Sequence, residues 1–167
     1  MFIQKASSDD LNDILEIYDE ARSFMIQTGN PNQWATRKHP PESVVRADIE
    51  AKKLYICKTD ENLQAVGVFF YDFGERIEPT YNRIKGKWIS GETYGVVHRI
   101  ATKTAVKGVG TFCLNWAFQN CQHLRIDTHA DNKVMQNLLT KLGFTECGII
   151  NLENGDERIA YEKANLE

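Results

Sequence analysis

Three groups of residues in this sequence have types and spacings suited to chemistry. The run Val106-Lys107-Gly108-Val109-Gly110-Thr111 stands where a strand-like segment gives way to a helical one. There the N–H groups of the turn and of the first helical residues can converge on one anion, and a diphosphate best matches such a nest. Glycine suits the turn because a side chain would block close approach and because such turns use φ > 0. The alternative is an ordinary strand-to-helix turn that uses glycine for geometry alone. His98, on the preceding strand, is either a proton acceptor or a hydrogen-bonded structural histidine in a strand core. Cys113 falls in the first turn of the next helix, where a thiolate nucleophile is favoured, but Phe112 and Leu114 beside it mark a core position.

Other candidates have strong structural readings. Arg99 reads as a salt-bridged residue with Asp127 on the neighbouring strand as its partner. His129 reads as an exposed loop residue near the following helix. Glu16, Glu20 and Glu92 could attract an amine, although carboxylates on a solvated face need no ligand. Cys113, Cys121, His123 and His129 do not have zinc spacing, so no metal is expected. Residue 113 is Cys where a dinucleotide fingerprint needs its third glycine, and no Gly-Lys-Ser/Thr follows at P-loop spacing.

The elements that must hold these residues alternate between strand and helix periodicity. After a short first strand, Ser7 or Ser8 caps a helix bearing Asp9 and Asp10 in its first turn, with Leu11, Ile14, Leu15, Tyr18 and Met25 at helical spacing. Gly29 and Pro31 break it, and a second helix begins at Pro41 after a long loop that holds Trp34. Two strands, Leu54–Cys57 and Ala65–Tyr71, make a hairpin around Thr59–Asn62. The polar segment 72–92 reads as a mobile excursion able to close over a site. A strand Tyr94–Thr102, the glycine turn, a helix Thr111–Cys121, a strand Leu124–Thr128, a helix Asn132–Leu142 and two last strands complete the chain. Leu114, Ala117, Phe118 and Cys121 form one buried helical stripe and Val134, Leu138 and Leu142 the other, with Gly143 as terminator.

With 167 residues and 42% hydrophobic content, the sequence has the size and material of one globular domain, residues 1–167. A net charge of −3 lacks the basic footprint of a general nucleic-acid binder. Four scattered cysteines form no Cys-x-x-Cys pair, and the first residues lack a signal-peptide pattern, so a cytoplasmic protein with reduced thiols is expected. A small-molecule enzyme or a binding module remains.

The residues Val97-His98-Arg99-Ile100-Ala101-Thr102, Gly108-Val109-Gly110, Asn115-Trp116-Ala117, Arg125-Ile126-Asp127-Thr128, Asp131-Asn132 and Leu142-Gly143-Phe144 together resemble the GNAT superfamily of acyl-CoA-dependent N-acyltransferases. The order is as specific as the residues: a bent central strand, a diphosphate turn, a helix, a splayed strand and an Asn-led helix ending in Gly-Phe. Gln33-Trp34 before a Pro-led helix extends the likeness upstream. The resemblance implies an α/β fold with a mixed, mostly antiparallel sheet of six or seven strands and four helices. It implies acetyl-CoA as cosubstrate, with the backbone near Ile100 and Thr102 bonding the pantetheine arm. Lys107, Gly108, Val109, Gly110 and Thr111 would hold the diphosphate, and Asn132 would help bind the arm. His98 would take the proton of the attacking amine. Aromatic residues in or beside the loops bordering the acceptor cleft (Trp34, Tyr71, Phe73, Tyr81, Trp88 and Tyr94) could bind an apolar or cationic amine. Of these Trp34, Tyr71 and Tyr94 are the expected acceptor contacts, and Trp34 is favoured. Two departures stand out: Ala105 occupies the turn's usual Arg or Gln position, and Leu139 stands seven residues past Asn132, where many members carry tyrosine.

The function implied is transfer of an acetyl group from acetyl-CoA to a primary amine of a small molecule or peptide, with no nucleic acid or membrane partner and a homodimer as an option. The absent tyrosine keeps a second function open, a non-catalytic acyl-CoA sensor on the same fold.

Overall fold

The computed structural model describes residues 1–91 and 93–166. Its strands are β1 (Phe2–Lys5), β2 (Leu54–Lys58), β3 (Ala65–Gly74), β4 (Lys85–Gly86), β5 (Tyr94–Thr102), β6 (His123–Thr128), β7 (Thr145–Asn151) and β8 (Glu157–Ala164). The helices are α1 (Leu11–Gln27), α2 (Glu42–Glu50), α3 (Val109–Cys121) and α4 (Lys133–Lys141). All eight strands join one sheet in the order β1-β2-β3-β5-β6-β8-β7-β4. Only β5 and β6 pair in parallel among the described residues. The strand beyond the expected seven is β4, two residues long, on the outer edge against β7.

Local chemistry explains the helix starts. Ser7 N donates to Asp10 Oδ2 at 2.9 Å, the Asp10 half of a capping box, and Asp10 N donates to Ser7 O at 3.0 Å in the turn that leads into α1. The side chain of Asn132 accepts from Met135 N at 3.0 Å, which satisfies one of the free donors at the start of α4. Gly143, with φ +84°, ends that helix in the left-handed region.

Successive residues of β3 serve opposite faces of the sheet. Val68 joins Ile14, Ile17 and Tyr18 of α1 and Val45 of α2 in one core. Phe69 and Tyr71 join Cys113, Leu114 and Ala117 of α3 and Leu139 of α4 in the other. The apolar stripe of α4 is Met135, Leu138, Leu139 and Leu142, and Val134 is 49% exposed. Leu138 and Leu142 of the expected stripe hold, and Met135 takes the place of Val134, because 135, 138, 139 and 142 share one helical face.

Residues 72–91 are mostly exposed but anchored at several points. Asp72–Gly74 complete β3, Pro79–Arg83 form a 3-10 turn, and Tyr81 is fully buried with Tyr94, Val96, Ile150 and Ala160. Trp88 Nε1 donates to Tyr81 O at 2.8 Å. Glu92, offered as an amine attractor, lies outside the described residues. Among the described residues no helix is long and apolar enough to cross a membrane.

Candidate active site

The site begins with one extra residue in β5. Val68 pairs with Ala101 and Phe70 with His98, so β5 spends three steps where β3 spends two. The additional residue is Arg99, whose φ of +51° is left-handed, at a cost of roughly 1–2 kcal/mol for a residue with a Cβ. Several contacts hold the bulge. Tyr18 Oη donates to Arg99 O at 2.8 Å, and the Arg99 guanidinium reaches Asp48 Oδ2 through Nε at 3.0 Å and Nη2 at 2.8 Å. The guanidinium also lies 4.7 Å from the Phe70 ring centroid. Asp48, on α2, therefore takes the place expected of Asp127 as the partner of Arg99.

The bulge resets the alternation of β5. Val97 and Ile100 now share the core beneath α3, while Ala101 turns to the core beneath α1. Ile100 therefore does not share a face with Tyr94 and Val96, as strict period-two counting requires. Pairing between β5 and β6 is recorded only at Gly95↔Leu124 and Val96↔Arg125. Beyond these positions the strands separate around a cleft of about 500 Å³. Its walls are Val97 to Ile100 of β5, Ile126 to Thr128 of β6, the α1–α2 loop with Gln33, Trp34 and His39, and the β7–β8 loop with Asp156.

His98 faces this cleft between two carboxylates. Its Nε2 lies 2.9 Å from Glu78 Oε2, and its Nδ1 lies 3.8 Å from Asp127 Oδ2. A carboxylate can only accept, so Nε2 donates its hydrogen to Glu78, and the 3.8 Å gap leaves Nδ1 without a hydrogen bond to Asp127. Burial would push the Glu78 carboxyl up, but hydrogen bonds from His98 and Thr80 outweigh it and hold Glu78 below the usual carboxylate range. Tyr81 Oη donates to Asp127 Oδ2 at 2.6 Å, which fixes the second carboxylate. Glu78 gave no sequence signal, because nothing in the spacing of residues 78 and 98 ties the 3-10 turn to the strand.

The glycine turn has the form of a helix N-terminus. Gly108 is the N-cap of α3 with φ +80°, and Phe112 N to Gly108 O at 3.0 Å is the first helical bond, so the preceding N–H groups have no acceptor within α3. Open space surrounds the position a Gly108 Cβ would take. At Gly110 a Cβ would stand 3.2 Å from Leu138 Cδ2, so this glycine serves α3–α4 packing. Val109 is buried in the core beneath α3, and Lys107 is exposed. Residues Lys107 to Thr111 follow the end of β5 and do not line the cleft itself. Glu16 and Glu20 brace the connection between them: Lys103 Nζ meets Glu16 at 3.0 Å, and Thr104 N and Oγ1 both donate to Glu20 at 2.8 Å.

The remaining expected contacts divide. Trp34 lines the cleft but is only 7% exposed, with its ring edge-on to Tyr18 at 5.8 Å. Its polar loop thus delivers it to the α1 core. Asn132 lines the cleft too, but Oδ1 caps α4 and Nδ2 donates to Gln33 Oε1 at 2.9 Å, tying the α1–α2 loop to that helix. Thr102 ends β5 and is half-buried. Tyr71 is not at the cleft: it packs on Trp116 and Tyr55 under α3, on the face of β3 that it shares with Phe69. Tyr94 is also buried, under the Arg125 guanidinium at 4.0 Å, where its hydroxyl accepts from Glu78 N at 3.4 Å. Its contribution is to position Glu78. A hydrogen bond with Cys57 and burial push the Cys113 thiol far up, which removes it as a nucleophile. Leu139 is wholly buried.

The arrangement can bind an anion at the start of α3, accept an extended chain along the free edge of β5 and take a proton at His98. Solved structures share the fold that holds it. A GNAT-family acetyltransferase from Streptococcus agalactiae superimposes with a TM-score of 0.87 over 99% of this chain and 96% of that one, at 26% identity. A GNAT-family acetyltransferase from Listeria monocytogenes gives 0.70 over 97% and 93%, at 16% identity. The NatC complex bound to Gag peptide and CoA gives 0.62 over 98% of each chain, at 11% identity. This is an α/β protein with the GNAT acetyltransferase fold along nearly all of its length. No protein-family model and no curated protein matches the sequence.

Proposed function

We propose that this protein is an acetyl-CoA-dependent N-acetyltransferase that transfers the acetyl group directly to a primary amine. The observation that carries the reading is His98, held by Glu78 through Nε2 with Nδ1 not hydrogen-bonded, at the mouth of the β5–β6 splay. The residues fit the cosubstrate. The unpaired edge of β5 beyond Val96 can bond the amides of a pantetheine arm near Ile100 and Thr102, and the α3 N-terminus with the open face of Gly108 can take its diphosphate.

Acetyl-CoA supplies an activated thioester. The amine nitrogen attacks the carbonyl carbon, a C–N bond forms, and the C–S bond breaks to release thiolate. Nδ1 of His98 accepts the proton lost from nitrogen, while Glu78 fixes the ring's tautomer and orientation. Asp127 stands beside the position where that proton arrives. No tyrosine serves the sulfur at residue 139, so the proton returns from His98 through water in the cleft to the thiolate.

Ligand-dependent stability and thiol release test this. CoA at 100 times its dissociation constant should add ~2.7 kcal/mol to the folded state, raising Tm by roughly 5–10 °C for a domain of this size. Release of free thiol with an amine panel should follow. Stabilisation by ATP or NAD in place of CoA would remove the cofactor assignment. Tight CoA binding with no thiol release from any amine would make the protein an acyl-CoA sensor.

A further inference from the structure

We propose that the acceptor amine carries its own carboxylate, as a free amino acid does, and that Arg158 binds it. This rests on the acetyl-transfer reading and names its substrate class.

Arg158 is a β8 residue facing the cleft, only 6% exposed. Its one recorded hydrogen bond runs from Nη1 to Glu157 O at 2.8 Å, which leaves most of its five donors open. Among the described residues no carboxylate approaches within ion-pair distance. The carboxylates around it are already engaged: Asp48 by Arg99, Asp156 by Arg37 at 3.2 Å, Asp127 by Tyr81, and Glu78 by His98 and Thr80. A guanidinium this buried without an anion is costly to hold, and a ligand carboxylate gripped by two parallel N–H bonds offsets that cost. On the side of His39 the arginines dominate. Burial first, then Arg99, Arg158 and Arg22, push the nearby His39 down to about 4, so that residue stays neutral at neutral pH.

The polarity of the cleft matches a zwitterion. His98 and Asp127 offer a proton acceptor and a negative charge for the amine, and Arg158 offers a cation for the acid. Burial pushes the Arg158 guanidinium down, and Asp127 and then Asp156 lie close enough to offset part of that without pairing with it, so the two ends of the substrate need to be only a short chain apart. Asp127 and Asp156 also disfavour a doubly charged anion such as a phosphate monoester.

Calorimetric titration of the CoA-loaded protein with the N-acetyl derivatives of the twenty amino acids, each beside its C-terminal amide, tests the inference without requiring turnover. At least one acid should bind ten or more times tighter than its amide. Arg158→Gln should erase that preference while leaving the amide's affinity and the CoA-induced Tm shift intact, and Arg158→Lys should restore part of it. In turnover, KM for the amino acid should rise in Arg158→Gln with little change in kcat. Equal binding of acids and amides, or equal weakening of both by Arg158→Gln, overturns the proposal. So does acetylation of amines lacking an acid with no amino acid bound, an outcome that leaves the acetyl-transfer reading intact. Acid-selective, Arg158-dependent binding without CoA binding sustains the carboxylate site and removes the cosubstrate instead.

Discussion

Replacing Glu78 by Gln changes one atom, and the geometry sets how much that atom matters. Glu78 Oε1 accepts from Thr80 N at 3.3 Å and Thr80 Oγ1 at 2.9 Å, and Oε2 accepts from His98 Nε2 at 2.9 Å. An amide has a single oxygen. If it stays on Thr80, keeping two bonds of roughly 0.5–1.5 kcal/mol each, its NH2 faces the N–H of His98. The ring must then move its hydrogen to Nδ1, the atom that accepts the amine's proton in the proposed reaction. Glu78→Gln should therefore cost nearly what His98→Gln costs, about 10²-fold in kcat/KM, or ~2.7 kcal/mol of transition-state stabilisation. The double variant should be no worse than either single variant, because both remove one base. Thiol-release kinetics on all four proteins, with the CoA-induced Tm shift as the check on folding and binding, decide the matter. Full turnover in Glu78→Gln, or losses that multiply in the double variant, would refute the assignment of His98 as the proton acceptor.

Leu139→Tyr should not raise turnover, because residue 139 is fully buried; the added volume should destabilise the fold by about 1–3 kcal/mol, read by chemical denaturation. His39 makes stability depend on pH: its folded value is depressed to about 4 from an ordinary 6.5, so between those values the unfolded chain takes up a proton that the folded chain refuses. Stability should fall as pH drops from 6.5, before the carboxylates titrate, and His39→Gln should flatten the denaturation midpoint between pH 6.5 and 4.5; an unchanged slope would mean that the folded protein accepts the proton.

The order of elements was legible because each has a local cause. Periodicity marks α1 and α3, turn residues mark the β2–β3 hairpin, and the glycines mark the ends of helices. Errors arose where tertiary geometry overrides a local count. Tyr71 looked available to a cleft because it borders a polar segment, but the parity it shares with Phe69 sends it under α3. Trp34, in a polar loop with little else to bury, lines the cleft but also rests on Tyr18. Glu78 and Arg158 lie 20 residues before and 60 after His98 in the sequence. No spacing rule joins them, since the 3-10 turn and β8 meet β5 only through the folded sheet.

The residue that most shapes the site is one whose role the sequence does not declare. Arg99 reads as a cation on a regular strand, to be matched with the nearest acid on the next one. A regular β5 would continue its ladder with β6 and close the cleft, and His98 would share a face with Ile100. With Arg99 in the left-handed region, β5 is one residue longer than its partner β3 allows for, and the ladder to β6 is recorded no further than Val96. His98 can then stand at an opening between strands, while Ile100 packs beneath α3. Such strain persists only where surrounding contacts over-determine it, and here the Asp48 ion pair, the Tyr18 hydroxyl and the Phe70 ring do so. These contacts come from α2, α1 and β3, so the helices on one face of the sheet maintain the opening through which His98 can reach a substrate.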